Sequence, residues 1–414
     1  MSRTSPQAHK PAAASGATRR TVAQGLALAA AAIARPALAQ ALAQAAGGPV
    51  RIGYAIARTG PWAAGAQVSQ EPNYLLWAEQ VNAAGGLDVM GRKRPIELIG
   101  HDDHSDIETC TRLYTRLMGG DKVDLILAPW GGSAGIALAP LCNRYGYPLL
   151  APTSTGRKLI DMGLQYFFSL LQQPDKMMGA LLDMLVAKGA RTVVLLYMDD
   201  LFGLENFSAL TLALKKTSLQ VLDRRSYAPG IKDLAPMLRG FKALNPDAFI
   251  GITYPGDTLL ASRQARDEGF NPAFFYTSVG AAFPSYRTAM QAGAEGVLGM
   301  GSWNVRSNPQ ARAYVDAHVA KFNRQPDRWA SGHCWAGLQV LQQAVAAVGL
   351  DRKALRDRIA KNEFSTVIGP VRFAGSENAS VPGTVSQWQG DEFEVVWPPE
   401  RATAALVAPK PAWR

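Results

Sequence analysis

From residue 50 onward the chain alternates short apolar runs with helical stretches, and it completes that alternation twice. In the first set, residues 50–56, 95–99, 123–128 and 148–150 read as strands. Residues 67–83, 106–118 and 135–145 read as the helices between them. Gly85-Gly86 gives the first of these helices a glycine stop. The second set places strands at 192–198, 219–227, 247–253, 273–277 and 296–301. Its helices start at Gly203 and cover 258–268. The run 192–198 is rich in Val and Leu without polar alternation, as a strand covered on both faces must be. Strands separated by helices pair in parallel, because the helix supplies the crossover. Two such sets in one chain predict an α/β fold of two doubly wound parallel-sheet lobes.

The tail breaks the rhythm. Residues 309–323 and 329–348 are helical and follow a second set that is already complete, so they must pack on something built earlier. Open parallel sheets bind ligands beyond the carboxyl ends of their strands. With two lobes face to face, the expected pocket is the cleft between them, closing about the hinge crossovers.

Length supports two cores, since 414 residues with 48% hydrophobic content exceed what one core usually holds. The net charge of +10 invites a nucleic-acid reading. Residues 1–39 remove it: they carry Arg3, Lys10, Arg19, Arg20 and Arg35 and no acids, leaving 38 basic against 33 acidic residues. No basic run interleaved with aromatics follows, so no nucleic-acid partner is expected. The same 39 residues read as an export signal. Thr18-Arg19-Arg20 is a twin arginine, 26–33 is a short apolar run, and Ala37-Leu38-Ala39 is a small-residue cleavage site ahead of Gln40. No cysteine follows the cleavage site, so no lipid anchor is expected. Cys110, Cys142 and Cys334 read as buried small apolar residues, with one pair possible in an oxidising compartment.

Two motifs point to chemistry. Gly131-Gly132-Ser133-Ala134-Gly135 fits a nucleophile elbow between strand and helix, with His318 and His333 downstream. The competing reading is a glycine-rich turn that offers backbone N–H groups at a helix N-terminus. His101-Asp102-Asp103-His104 resembles a metal cluster. Adjacent side chains diverge along an extended segment, so a turn with a cap at Ser105 or Asp106 is the expectation, and neither metal nor cofactor is expected. Trp62 and Trp130 each follow a first-set strand, and Tyr254 follows a second-set strand; together they form a candidate stacking wall. Pro152-Thr153-Ser154-Thr155 adds hydroxyls, which suit a carboxylate or amide.

At this point the chain resembles the periplasmic leucine/isoleucine/valine-binding proteins, type I solute-binding proteins of ABC importers. The resemblance runs from Val50 to Pro398. It is carried by Thr59-Gly60-Pro61, Ala84-Gly85-Gly86-Leu87 with Gly91-Arg92-Lys93, Asp102-Asp103 with Ser105-Asp106, Tyr145-Gly146-Tyr147-Pro148-Leu149, and the late segment from Phe364 to Phe373. It implies three hinge crossovers, near Gln172-Gln173-Pro174, near Ser302-Trp303 and from Val367 to Arg372. The lobes would then comprise 50–172 with 302–366, and 173–301 with 367–398.

The resemblance also implies site residues: Trp62, Trp130, Gly132 or Ser133, Thr153, Thr155, Gln173, Phe202, Tyr254 and Val279. Two of these depart from the family pattern. Gln173 and Val279 stand where its amino-acid binders place acids for the α-ammonium. Losing such a charge-assisted bond costs on the order of 2–5 kcal/mol, so an aromatic or aliphatic acid, or an amide, rivals an amino acid as solute. The implied partners are that solute and an inner-membrane permease, met by a periplasmic monomer. The alternative is an exported serine hydrolase using Ser133.

Overall fold

The computed structural model describes residues 47–413. The expected export signal lies outside them. The chain opens with β1 (Val50–Ile56), α1 (Ala63–Ser69), α2 (Glu71–Ala83), the hairpin β2 (Leu87–Val89) and β3 (Arg92–Arg94), β4 (Ile96–Asp102), α3 (Ile107–Thr115) and β5 (Leu125–Ile126). It continues through α4 (Gly132–Tyr145), β6 (Leu149–Ala151), α5 (Arg157–Asp161) and β7 (Phe167–Ser169). The helix expected over 67–83 is interrupted at Gln70, whose backbone leaves helical geometry (φ −131°, ψ −62°).

The second set contains α6 (Pro174–Ala187), β8 (Thr192–Met198), α7 (Leu201–Leu214), β9 (Gln220–Tyr227), α8 (Ala235–Ala243) and β10 (Ala248–Ile252). Then come α9 (Pro255–Asp267), β11 (Phe274–Thr277), α10 (Pro284–Met290) and β12 (Leu298–Gly299). The return comprises α11 (Pro309–Phe322), α12 (Ser331–Val348), α13 (Arg352–Lys361), β13 (Glu363–Thr366), β14 (Gly369–Ala374) and β15 (Glu377–Asn378). It ends with β16 (Val385–Gln389) and β17 (Glu392–Trp397).

Besides the β2–β3 hairpin, the first lobe holds β4–β1–β5, all parallel, and β13–β14–β15–β7–β6. The second lobe holds one seven-stranded sheet in the order β17–β16–β12–β11–β10–β8–β9. Its five strands from β12 to β9 are parallel, while β16 and β17 run antiparallel at one edge. Every residue of β10 is buried, as a strand covered on both faces requires. The fold is therefore α/β with two lobes. Helix α12 threads the first lobe, buried throughout from Ser331 to Leu338, and packs on α2, β2 and β13, which gives the returning helices their place.

One boundary moves. Residues 367–374 were expected to re-enter the second lobe. Instead β13 and β14 form an antiparallel pair about a turn at Val367-Ile368, and β14 joins β15 beside β7. Burial alternates along β14, and its buried Phe373 meets Phe168 of β7 at 5.0 Å between ring centroids. That apolar face belongs to the first lobe, so the third crossover falls at 379–384.

The three crossovers are hydrogen-bonded to one another. Thr384 N–H donates to Gln172 Oε1 (2.8 Å), and the Thr384 hydroxyl donates to Gly301 O (2.8 Å). His333 on α12 joins them. One ring nitrogen lies 2.5 Å from the Ser302 hydroxyl and the other 3.1 Å from Leu170 O. No helix among the described residues is long and apolar enough to cross a membrane. All three cysteines are free and buried, in keeping with the apolar reading.

Candidate functional site

The loops following β5 and β6 face those following β8 and β10: Trp130 comes 6.3 Å from Tyr254, and the Lys158 N–H donates to Glu205. On the first-lobe side the loops are wired together by Gln70. Its side-chain N–H groups donate to Tyr74 Oη (2.7 Å), Ala128 O (2.7 Å) and Pro129 O (3.0 Å), and its Oε1 accepts from the Thr153 hydroxyl (2.8 Å). The helix break at Gln70 is what lets this side chain reach two strand ends. Trp130, just past β5, is 3% exposed and donates its indole N–H to Ser69 Oγ (2.9 Å). Gly65 makes room for it, since a Cβ there would lie 2.2 Å from the indole ring. Trp62 is half-buried at the start of α1, where its backbone N–H donates to Ser105 Oγ (3.0 Å).

Helix α4 starts at Gly132 because Gly131 takes a positive φ (+93°) that L-residues avoid. The first N–H groups of α4 therefore have no acceptor within the helix. Thr153 fixes this turn by accepting from Gly131 N–H (3.0 Å), and the Ser154 hydroxyl donates to Gly131 O (3.0 Å). The hydroxyls of Ser133 and Thr155, both half-buried, take no part in these bonds. The result is a helix N-terminus with open N–H groups flanked by two available hydroxyls, the arrangement that holds small anions.

The second-lobe wall is built differently. Asp200 caps α7 by accepting from Gly203 N–H (2.8 Å). Phe202, in the first turn of α7, lies 4.9 Å from Tyr254 between ring centroids. Tyr254 stands at the end of β10 and reaches Trp130 across the cleft at 6.3 Å. Burial raises the Asp200 carboxyl, against the opposing pull of Gly203 N–H and the Tyr254 hydroxyl. Burial likewise raises Asp257, whose carboxylate accepts from the Tyr227 hydroxyl (3.3 Å). Glu205 of α7 crosses to the first lobe, where the Lys158 N–H donates to it; its carboxyl too is raised by burial.

Several expected site residues are otherwise engaged. Gln173 is fully buried; its Oε1 accepts from Gly156 N–H (3.1 Å) and its amide donates to Ser169 Oγ (2.9 Å). It braces a first-lobe loop at the hinge. Val279 is 1% exposed and accepts on its carbonyl from the Thr258 hydroxyl (2.6 Å), sealed beneath the wall. Thr153 spends its hydroxyl on Gln70 and Gly131. Of the expected residues, the structure gathers Trp130, Gly132, Ser133, Thr155, Phe202 and Tyr254 along the cleft.

Ser133 meets no histidine among the described residues. It lies inside the first turn of α4, with the positive φ on Gly131, whereas an elbow strains the serine itself. His318 contacts Arg324 O and His333 contacts Ser302 and Leu170, so neither is a general base for it. Asp102 is likewise structural. Burial would raise its carboxyl, but His104 N–H, the Thr59 hydroxyl and the N–H groups of Arg58 and Thr59 hold it at about 2. Asp106 caps α3. Among the described residues no cluster of three or more His, Cys, Asp or Glu could hold a metal.

Sequence reasoning missed Trp329. Its ring lies 6.3 Å from Trp130 and 6.3 Å from Phe283 of the second lobe, and its buried indole N–H has no partner among the described residues. The signal available was Asp327, whose carboxylate collects Trp329 N–H (2.8 Å) and Ala330 N–H (2.7 Å) and so turns the chain into α12.

Comparison with known proteins supports the fold. A family model described as a periplasmic binding protein matches residues 49–392. The Leu/Ile/Val-binding protein homolog 8 of Brucella abortus is 23% identical, over 80% of this chain and 86% of its own. Two solved structures share the fold. One is the branched-chain amino acid transporter substrate binding protein LivJ of Streptococcus pneumoniae in complex with isoleucine, at a TM-score of 0.74 and 20% identity, covering 87% of this chain and 100% of that one. The other is an ABC transporter solute binding protein of R. palustris in complex with benzoate, at a TM-score of 0.73 and 20% identity, covering 88% and 98%.

Proposed function

We propose that this chain, which belongs to the periplasmic binding protein family, captures one small carboxylate- or amide-bearing solute between its lobes and delivers it to a branched-chain-amino-acid-type ABC importer. The observation that carries this reading is the open N-terminus of α4 facing a box of Trp130, Phe202, Tyr254, Phe283 and Trp329 drawn from both lobes. The N–H groups, with Ser133 and Thr155, receive the carboxylate or amide oxygen; the rings enclose the apolar body. An α-ammonium would need a carboxylate. Gln173 and Val279 offer none, and Asp200 is already committed to Gly203 and Tyr254. That favours an aromatic or aliphatic acid, or its amide, over an α-amino acid, and the R. palustris neighbour is bound to benzoate. In this reading residues 1–39 direct export, through the twin arginine, to the periplasm, and the mature chain acts as a monomer with no catalytic step.

A thermal-shift screen of the mature chain tests the solute class, with benzoate, benzamide and leucine as probes. A true ligand at about 100 times its Kd adds roughly 2.7 kcal/mol to stability. Stabilisation by benzoate is the expected result. Stabilisation by leucine alone would restore the amino-acid assignment. Covalent labelling of Ser133 by a fluorophosphonate would replace the binding reading with the hydrolase.

A further inference from the structure

The segment joining α11 to α12 leaves the first lobe and comes back to it. At one end the Arg324 guanidinium donates to Gln67 O (2.6 Å); at the other the Ser331 hydroxyl lies 3.4 Å from Val68 O. Both anchors are on α1. Between them Arg328 belongs to the other lobe. Its backbone N–H donates to Ala282 O (3.1 Å), and its guanidinium grips the Glu392 carboxylate at two points, Nε to Oε1 at 2.6 Å and Nη2 to Oε2 at 3.0 Å. Glu392 opens β17, the outermost strand of the second-lobe sheet.

The pair is built to hold. Arg328 also donates from Nη1 to Pro326 O (2.9 Å) and stacks over Trp303 of the second crossover, 5.1 Å from the ring centroid. Its side chain is 6% exposed and that of Glu392 25%, so dissolved salt screens the attraction little. A two-point guanidinium–carboxylate contact also fixes direction, which a lysine could not do. The next residue is Trp329. Because Asp327 binds the Trp329 and Ala330 N–H groups, the Trp329 backbone moves together with Arg328.

We propose that Arg328 and Glu392 form a clasp between the lobes that positions Trp329 in the cleft and biases the cleft toward closure. Affinity for the solute then depends on an ion pair that never touches it. The inference rests on the cleft being the binding site. When the lobes part, Glu392 travels with the second lobe while Arg328 is tethered on both sides to the first. Opening must break the pair and strand a buried guanidinium, or drag the strap and shift Trp329 away from Trp130; both disfavour the open form. Since apparent Kd scales inversely with the competent fraction, a weaker clasp means weaker binding.

The test uses the full mature chain with spin labels at Leu75→Cys and Leu244→Cys, exposed positions on the first and second lobes. The native cysteines are buried and can stay. Pulsed dipolar distances are recorded without ligand for the parent, Glu392→Gln, Arg328→Met and the double variant, together with benzoate and leucine affinities. Glu392→Gln is expected to lengthen the ligand-free distance and to weaken the probe that binds by about tenfold, with Arg328→Met adding little on top. A lowered melting temperature with an unchanged distance distribution would make the pair merely structural and overturn the clasp. Should Arg328→Met fail to fold, the Glu392→Gln comparison still decides. Should neither probe bind, the distances still judge the clasp, and the cleft reading is the one that has failed.

Discussion

On the first-lobe side of the cleft, Trp130 is a core residue that happens to touch the opening: 3% exposed, hydrogen-bonded to Ser69, fitted against Gly65. On the second-lobe side, Phe202 and Tyr254 stand half-buried at the starts of their helices, with Asp200 and Asp257 beneath them. One wall presents N–H donors set by a network that includes Gln70, Thr153 and Ser154. The other presents rings above carboxyls that are tied to Gly203, Tyr254 and Tyr227. On the proposed reading, the donor wall would fix where the solute's oxygen goes, and the aromatic wall would set what its body is. Related clefts could then change cargo mainly through the second wall.

The sharpest way to break that contrast is to truncate one ring on each side. Trp130→Ala should cost about 3–5 kcal/mol of stability, as a buried aromatic does when it leaves a cavity. Phe202→Ala, half-buried, should cost no more than about 2 kcal/mol. Urea unfolding of the two variants measures both, and equal losses would abolish the distinction between the walls.

Next in size is the donor wall itself. Gly132→Asp puts a carboxylate at the N-terminus of α4, where the helix favours it by about 0.3–1 kcal/mol. The melting temperature should hold or rise, while a carboxylate solute loses roughly 100-fold in affinity by titration calorimetry and an amide loses less. Equal losses for acid and amide would move the anion end of the solute elsewhere.

A further effect concerns pH. His318 and His333 both sit on first-lobe helices, and no histidine lies between Gln173 and Ser302. Burial lowers each to about 4 from the ordinary 6.5, against the weaker pull of the backbone carbonyl each contacts. Between those values the unfolded chain binds the proton that the folded chain refuses. The stability each contributes is full above pH 6.5 and is lost as pH falls toward 4, by up to about 3 kcal/mol per histidine. Raised carboxyls, which have the opposite sign and favour folding as pH falls, occur in both lobes, Asp103 and Asp327 in the first and Asp200 and Asp257 in the second, so the histidines carry the difference. Hydrogen exchange at pH 7 and pH 5 should show the first lobe loosening more, and His333→Gln should flatten that difference. A uniform response of both lobes would show that the histidines do not set it.

The sequence made the two lobes legible because strands buried on both faces are continuous apolar runs that little else imitates. β1 and β8 fall where their Val and Ile or Leu residues put them. The third crossover was misplaced because residues 364–373 alternate, and alternation tells which face is buried without saying whose core it faces. The cleft was half legible. Gly132, Ser133, Thr155, Phe202 and Tyr254 follow strand ends, which topology alone brings to the rim. Gln173 and Val279 also follow strands, but the Gln173 side chain is consumed by Gly156 and Ser169, and Val279 is buried with its carbonyl bonded by the Thr258 hydroxyl. Trp329 follows no strand at all and reaches the cleft on the strap, a path that periodicity does not encode.

The seven-stranded sheet carries a consequence for how the molecule comes into being. A ribosome that has reached Met300 has supplied five of its strands, and the remaining edge, β16 and β17, arrives only with the last 30 or so residues. The first lobe waits as well, because α12 fills its centre and β13, β14 and β15 extend one of its sheets. Neither lobe is a separable cassette that could mature while the other is still being made. Loss of the chain from Glu363 onward would leave both unfinished, with long unpaired edges and a wide apolar face in water, the state in which chains of this size aggregate.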